Sequence, residues 1–181
     1  AASGRPVHLL EKDVWVVWTL NVLFSAPFAK QLVFKGGTSL SKAYQVIRRF
    51  SEDIDITYDI RAIAPDLVED FTEPLPPTRS QEKRWTREIR SRLSDWVRET
   101  TLPLIEAALT SQRLTARPQA DGDKIVIDYE PLATGSGYVN PAVLLEFGAR
   151  STGEPFEHRP VRCDAAEYLP ELVFPAVTAR A

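Results

Sequence analysis

The sequence predicts an α/β fold of the α+β kind, in which a mixed sheet is flanked by helices. The first observation is the order of elements: helix, strand, helix, strand, long helix, then several strands. The second is the lack of regular βαβ alternation, which argues against a doubly wound parallel sheet. The third is length, because 181 residues fit one domain. We therefore expect residues 1–181 to form one domain.

The first half of the chain is expected to alternate helices with short strands. Residues 9–24 carry a broad apolar stripe, which is typical of a helix. Consecutive apolar residues make 31–35 a short buried strand. Apolar residues at helical spacing then predict a helix up to Ile47. Residues 52–60 alternate strictly between apolar and polar side chains, which predicts a strand with one buried side.

The second half is expected to contain a loop, a long helix and several strands. Prolines and acidic residues indicate a loop at 61–79. A long helix follows at 80–109 and is expected to bend near Pro103. Glycines separate the remaining segments, and strands are predicted at 113–117, 124–129, 142–147 and 161–163.

Composition excludes several classes of function. The hydrophobic share of 44% and the charged share of 26% are ordinary for a globular protein. No apolar run approaches the roughly 18–20 residues that cross a bilayer, and no signal-peptide pattern is present, so a cytoplasmic location is expected. The net charge of −3 excludes a wholly basic nucleic-acid binder. Any contact with RNA or DNA would need a local basic patch.

The cysteine and methionine counts add further limits. Cys163 is the one cysteine, which excludes an intrachain disulfide, and with two histidines it gives no zinc signature. Because no histidine partner is placed near it, we interpret Cys163 as a bystander rather than a catalytic thiol. Methionine is absent even from position one. We therefore expect a processed or truncated product.

A diglycine turn between a strand and a helix predicts a phosphate site. Lys35 ends the strand, and Gly36 and Gly37 let the backbone approach an anion closely. The first-turn amides of the following helix point outward, and the helix dipole adds positive charge there. Thr38 and Ser39 add hydroxyl donors, and either can cap the helix. The alternative is a tight turn without a ligand, and neither a Walker A loop nor a GxGxxG spacing is present.

Two aspartates on the following strand predict a metal site. Asp53 and Asp55 lie two residues apart and so share one face of the strand. Paired carboxylates suit Mg²⁺, which prefers a few carboxylates together with phosphate oxygens and waters. The alternative is a half-exposed strand with solvated acids. The intervening helix favours the metal site, because it can return the chain so that the two strands, and hence both sites, become neighbours.

Other charged residues near these motifs are interpreted as substrate contacts or as residues with a structural role. Lys42, one turn into the helix, and Lys35 are within reach of a triphosphate, although Lys35 can also face solvent. Arg48 and Arg49 end the same helix and are expected to interact with its dipole. Arg150 is a candidate substrate contact or a surface ion-pair partner.

The long helix carries a candidate RNA-binding stripe. Four basic side chains fall on one side of it: Lys83, Arg87, Arg90 and Arg98. Such a stripe on an otherwise acidic protein suits an RNA backbone. The alternative is a solvated helix face. The four tryptophans lie on the apolar sides of their helices and are expected in the core.

The segment FKGGTSLSKAYQVIRRFSEDIDI, within residues 33–56, resembles the signature of the AbiEii/AbiGii (MenT-like) nucleotidyltransferase toxins. A looser match is VLLEFGAR at 143–150. The resemblance implies a DNA-polymerase-β-like nucleotidyltransferase core. It places Gly36, Gly37, Thr38 and Ser39 on the triphosphate, Asp53 and Asp55 on Mg²⁺ (or Mn²⁺), and Glu146 at a third acidic position.

The resemblance also implies a biological role. Such toxins belong to type IV-like toxin–antitoxin and abortive-infection systems, so a cognate antitoxin is expected as a partner. They transfer nucleotides from an NTP to RNA, with tRNA as the acceptor for some members. Two features depart from the pattern. The family's final Lys/Asp pair, on a C-terminal helical region, has no counterpart that we identify, and Leu144 stands where a basic residue is common.

Three functions are therefore weighed. In the leading hypothesis, an acceptor hydroxyl on RNA attacks the α-phosphorus of an NTP and pyrophosphate leaves. In the second, the same core modifies a small molecule, as antibiotic nucleotidyltransferases do. In the third, the chain is a non-catalytic module that binds nucleotide or a partner.

Overall fold

The computed structural model describes residues 6–47, 53–68, 78–132, 140–149 and 155–181. Its helices are α1 Val7–Phe24, α2 Gly36–Lys42, α3 Ile60–Ile63, α4 Pro65–Val68, α5 Arg79–Trp96 and α6 Leu102–Ser111. Its strands are β1 Leu32–Lys35, β2 Asp53–Tyr58, β3 Ala116–Asp121, β4 Lys124–Tyr129, β5 Ala142–Gly148, β6 His158–Arg162 and β7 Ala176–Arg180. Within these ranges no helix combines the length and apolar character that a membrane crossing needs.

Five strands form one mixed sheet in the order β1-β2-β5-β4-β3. Strand β2 pairs parallel with β5, and the other neighbours pair antiparallel. Strands β6 and β7 form a separate antiparallel pair. The mixed sheet predicted from the sequence is confirmed, and so is the return of β2 to the side of β1.

One face of the large sheet packs against the helices. The alternation in β2 buries Ile54 and Ile56, as the sequence pattern predicts. From α1, Trp15 stacks on Tyr129 of β4 with ring centroids 5.1 Å apart. From α5, Trp96 stacks on Tyr58 of β2 at 4.2 Å. The polar residues of β2 therefore point to the opposite face.

Trp18 and Trp85 are buried, while Trp15 and Trp96 are half-buried and pack against the core, so the predicted core role of all four is confirmed. Cys163 is buried as well, and its sulfur donates to the Pro175 carbonyl oxygen at 3.3 Å. Burial raises the pKa of its thiol to about 12. Because the thiolate is the nucleophilic form, this environment favours the interpretation of Cys163 as a bystander.

Several boundaries differ from the predictions. The helix expected after the diglycine turn begins at Gly36 itself, with Lys35 at the N-cap, so Thr38 and Ser39 lie inside the first turn and do not cap it. The helix also ends at Lys42, before Ile47. The predicted loop contains the short helices α3 and α4.

The long helix shows a change in winding where a bend was expected. Between α5 and α6, residues Val97–Thr101 form a π-helical turn. Pro103 is the second residue of α6, which begins directly after this turn. Proline has no N–H to donate to the carbonyl four residues earlier, and its ring crowds that carbonyl. The wider turn relieves this conflict without ending the helix.

Among the strands, β4 has the predicted bounds, and β5 agrees to within one residue. Strand β3 starts later than expected because Arg113 has a positive φ of 55° in the preceding turn. Strand β6 begins before its predicted position, and β7 was not predicted. The sequence of β7, AVTAR, shows little alternation of polarity. This strand is buried through its contacts with α1 and β6.

Candidate active site

A row of five charged residues, one on each strand, crosses the sheet on the face away from the helical core. The strand register aligns Lys35 of β1 with Asp55 of β2, and Asp55 with Glu146 of β5. It continues from Glu146 to Lys124 of β4, and from Lys124 to Asp121 of β3. Neighbouring strands lie about 4.8 Å apart, so side chains in such a row are direct neighbours. The register thus brings Asp55 and Glu146 together, which are separated widely in the sequence.

Asp53 shares this face, because it lies two residues from Asp55 on β2. Its register partner on β5 is Leu144. Asp53 is exposed and Asp55 is half-buried, while Ile54 and Ile56 anchor the strand from the other side. The three predicted acids therefore lie on one face of two adjacent strands.

The bend at Gly36 contacts Asp55 directly. Gly36 has a positive φ of 73°, a conformation that glycine adopts without the penalty other residues meet. A Cβ atom at this position would lie 1.8 Å from Oδ2 of Asp55. Both the backbone angle and the space therefore require glycine here. The bend between β1 and α2 is in contact with the acidic cluster, as the sequence analysis expected.

The hydroxyls of the turn are directed into the protein. Thr38 is fully buried, and its Oγ1 donates to the backbone carbonyl oxygen of Asp53. Ser39 is also buried, with 3% of its surface exposed. The exposed part of the bend is the backbone at Gly36 and, to a smaller extent, at Gly37. The contact of the two hydroxyls with a phosphate stays a prediction.

A cavity of about 420 Å³ opens beside the acids. This volume lies within the range of small-molecule sites. It is lined by Lys35, Gly36, Asp55, Ile56, Thr57, Glu146, Phe147 and Gly148. The cavity thus joins the glycine bend, two of the three acids and one lysine.

The environment of the acidic cluster changes the pKa of Asp55. Burial raises the pKa of Asp55, and the carboxylates of Glu146 and Asp53 raise it further. Glu146 forms an ion pair with the ammonium of Lys124. The hydrogen bond from this ammonium to Glu146 raises the pKa of Lys124. Negative charge is therefore concentrated around Asp55, with Lys35 and Lys124 on the two neighbouring strands.

The donor set fits a divalent cation with oxygen ligands. Among the residues that the structure describes, no three His, Cys, Asp or Glu side chains surround one common metal position. Asp53 and Asp55 nonetheless supply adjacent carboxylates on one face, which is the chemistry that Mg²⁺ and Mn²⁺ prefer. Burial and the neighbouring carboxylates of Glu146 and Asp53 raise the pKa of Asp55, so a bound cation would favour its ionised form. Lys124 supplies a positive charge to Glu146.

Lys42 lies in a different environment from the one expected. Its ammonium is 2.5 Å from Oδ1 of Asp13 on α1 and 2.7 Å from Oδ1 of Asp164. Its side chain is only 11% exposed. Lys42 does not line the cavity beside the acids. Lys35, in contrast, lies on the cavity wall next to Asp55.

The basic stripe of α5 is only partly available. Lys83, Arg87 and Arg90 are exposed. Arg98 is paired with Asp95 at 2.6 Å and with Glu99 at 3.0 Å. Through Trp96, α5 packs on the sheet face opposite to the acids. Arg150, Arg48 and Arg49 lie outside the described residues.

Lys124 is a site residue that the sequence analysis missed. It begins β4 and reaches the acidic cluster only because β4 pairs with β5. The sequence predicted a strand at 124–129, with Lys124 as its first residue. The missing information was the strand order, which local patterns do not contain.

The protein thus has a mixed sheet on which a glycine bend lies beside paired acids, and this combination defines its class. The model of the family described as "Nucleotidyl transferase AbiEii toxin, Type IV TA system" matches residues 20–181. Because this match covers most of the chain, the protein belongs to the AbiEii family. A search of curated protein sequences finds no match to this chain.

A solved structure shares the fold. It is MenT4, a nucleotidyltransferase toxin from Mycobacterium tuberculosis H37Rv, with a TM-score of 0.50 and 19% sequence identity. The similarity covers 99% of this chain and 52% of MenT4. The chain therefore spans about half the length of this neighbour, and at this identity the likeness concerns the fold.

We expect Gly36→Ala to destabilise the protein by about 1–3 kcal/mol, since alanine disfavours a positive φ and its Cβ would overlap Asp55. Urea denaturation measures the effect. Gly148→Ala is the matched control, because Gly148 lines the same cavity and its added Cβ would meet nothing within 4 Å. The control should stay within about 0.5 kcal/mol of the wild type. Equal midpoints for the two variants would contradict the contact.

We expect Asp55→Asn to stabilise the protein at neutral pH without divalent cations. A raised folded-state pKa means that folding disfavours the ionised carboxylate, and the substitution removes this cost. Because solvent screens a partly exposed group, the gain should be a few tenths of a kcal/mol to about 1 kcal/mol. It should disappear below the ordinary pKa of 3.8, where the wild-type carboxyl is protonated in both states. Urea denaturation at both pH values tests this, and a loss of stability at neutral pH would refute it.

Proposed function

We propose that this chain is the core of a metal-dependent nucleotidyltransferase toxin that transfers NMP from an NTP to an RNA acceptor. The observation that carries the proposal is the contact between the Gly36 bend and Asp55, with Asp53 and Glu146 on the same face. It places a backbone suited to phosphate beside carboxylates suited to a divalent cation. Membership of the AbiEii family supports the same reaction class.

The acids are assigned to the metal and the reacting atoms. Asp53 and Asp55 would hold Mg²⁺ or Mn²⁺, and Glu146 would complete the acidic set. When bound, the cation offsets the negative charge between carboxylates and triphosphate and polarises the phosphoryl oxygens. Asp55 needs such a charge, since burial and two neighbouring carboxylates disfavour its ionised form. Lys124 would orient Glu146 through their ion pair.

The bend is assigned to the triphosphate. The Gly36 and Gly37 backbone allows a close approach, and Lys35 adds positive charge at the cavity wall. Thr38 and Ser39 are almost wholly buried, and Thr38 would hold the bend in place through its bond to the Asp53 carbonyl oxygen. The acceptor hydroxyl then bonds to the α-phosphorus and the bond to pyrophosphate breaks. The hydroxyl proton passes to a carboxylate of the cluster or to water. Alignment and electrostatic stabilisation would supply most of the rate.

The acceptor proposal rests on the basic stripe of α5. Lys83, Arg87 and Arg90 are exposed and free to meet phosphates in an extended polyanion. Because α5 covers the face opposite to the acids, the acceptor must be long enough to pass around the sheet. A folded RNA such as tRNA has this length, whereas a small molecule does not. Family membership further implies a cognate antitoxin as the cellular partner.

We expect Asp53→Ala to lower transfer at least about 10³-fold, because it removes one of two adjacent carboxylates that would hold the cation. The measurement is incorporation of each labelled NTP into total tRNA in the presence of Mg²⁺. Asp128→Ala is the control, since Asp128 is exposed on β4 and does not line the cavity. Binding of NTP by the wild type without any covalent label would instead favour a non-catalytic module.

We expect the charge reversal Arg87→Glu with Arg90→Glu to lower kcat/KM for RNA about tenfold or more, because each lost phosphate contact weakens a polyanion's binding. The loss should shrink as salt is raised. Arg84→Glu is the matched control, since Arg84 is also exposed on α5 but lies on another side. If the reversal leaves RNA labelling unchanged, the acceptor does not use this stripe.

A further inference from the structure

Helix α2 has an unusual anchorage for an element that carries a site. It has seven residues, and a helix this short does not persist without tertiary contacts. Its buried residues are polar, namely Thr38 and Ser39. Its one large apolar residue, Leu40, is 45% exposed. The helix therefore lacks the apolar stripe that usually fixes a helix on a core.

Polar contacts hold both ends of α2 instead. At the start, Thr38 donates to the Asp53 backbone, and Gly36 lies against the Asp55 side chain. At the end, Lys42 is bound by Asp13 and Asp164. Each contact joins α2 to another element of the fold. The position of the Gly36 bend relative to β2 thus depends on a few directional interactions.

The contact at Lys42 is a closed and mostly buried network. Asp13 binds the Lys42 ammonium through Oδ1 and accepts from the Asp164 amide at 2.6 Å through Oδ2. The side chains of Lys42 and Asp13 are 11% and 4% exposed, and that of Asp164 is 32% exposed. A buried ion pair of this kind adds little net stability compared with apolar residues. What it supplies is a defined geometry among α1, α2 and the Asp164–Glu167 turn.

We propose that Lys42 is a positioning residue whose ion pairs with Asp13 and Asp164 fix α2, and so hold the Gly36 bend against Asp55. This inference rests on the proposed function for its catalytic consequence. It differs from the expectation that Lys42 binds the triphosphate, because the ammonium is already coordinated by two carboxylates. Asp13, on α1, becomes as important as Lys42 itself.

The test compares Lys42→Met, Asp13→Asn and the double variant Lys42→Met with Asp13→Leu. Each single variant should raise hydrogen exchange of the helix-bonded amides in residues 40–42 about tenfold or more, while β2 and β5 exchange as in the wild type. Each should also lower kcat/KM about 10- to 100-fold, as expected when a site loses its alignment. The double variant should regain the wild-type unfolding midpoint but not the exchange protection or the rate.

The test has a control variant, and it has outcomes that would overturn the proposal. Arg61→Met breaks an exposed ion pair, Arg61 with Asp59 at 2.6 Å, and should change neither exchange nor rate. If Asp13→Asn behaves as the wild type while Lys42→Met loses rate, Lys42 contacts the substrate and the proposal is overturned. If the double variant regains protection and rate with stability, the network is only structural, which also overturns it. A wild type that transfers nothing refutes the proposed function, while the exchange measurements still decide the role of Lys42.

Discussion

The contact between the Asp55 carboxylate and the backbone of Gly36 is the constraint around which the site is built. Oδ2 of Asp55 occupies the place where any other residue at position 36 would carry its Cβ. This contact requires β1 and β2 to be neighbours, with Lys35 opposite Asp55. It also requires α2 to begin at once after β1, in a left-handed turn. The strand order near the site and the position where α2 begins are thus both required by the contact between Asp55 and Gly36.

The sheet also brings together charged residues that lie far apart in the sequence. Parallel pairing of β2 with β5 puts Asp55 beside Glu146, and like charges in such positions are unfavourable. Lys35 beside Asp55 and Lys124 beside Glu146 have the opposite sign, which offsets part of this cost. Burial, and after it the charges of Glu146 and Asp53, still raise the pKa of Asp55. Carboxylates with a perturbed pKa are common at functional sites.

Local sequence patterns predicted those parts of the fold in which the pattern itself determines the structure. Strict alternation predicted β2, the apolar stripe predicted α1, and a segment set off by glycines predicted β4. The predicted extent of α2 was wrong because the contacts that hold this helix are not local: Lys42 donates a hydrogen bond to Asp164, 122 residues away. Lys124 was missed for the same reason, since only pairing of β4 with β5 brings it to Glu146. Residue types thus identified the acids and the glycines, while tertiary pairing decided which cations accompany them.

The use of polar anchors on α2 follows from what each kind of interaction can specify. Apolar burial is non-directional, so it holds a helix on a core but tolerates sliding and rotation. A hydrogen bond or a coordinated ion pair loses its energy when an angle or a distance changes slightly. A bend that must place its backbone against one carboxylate needs the second kind. The Thr38 bond to the Asp53 carbonyl and the Lys42 network at the other end therefore restrain the helix in a way that an apolar stripe does not.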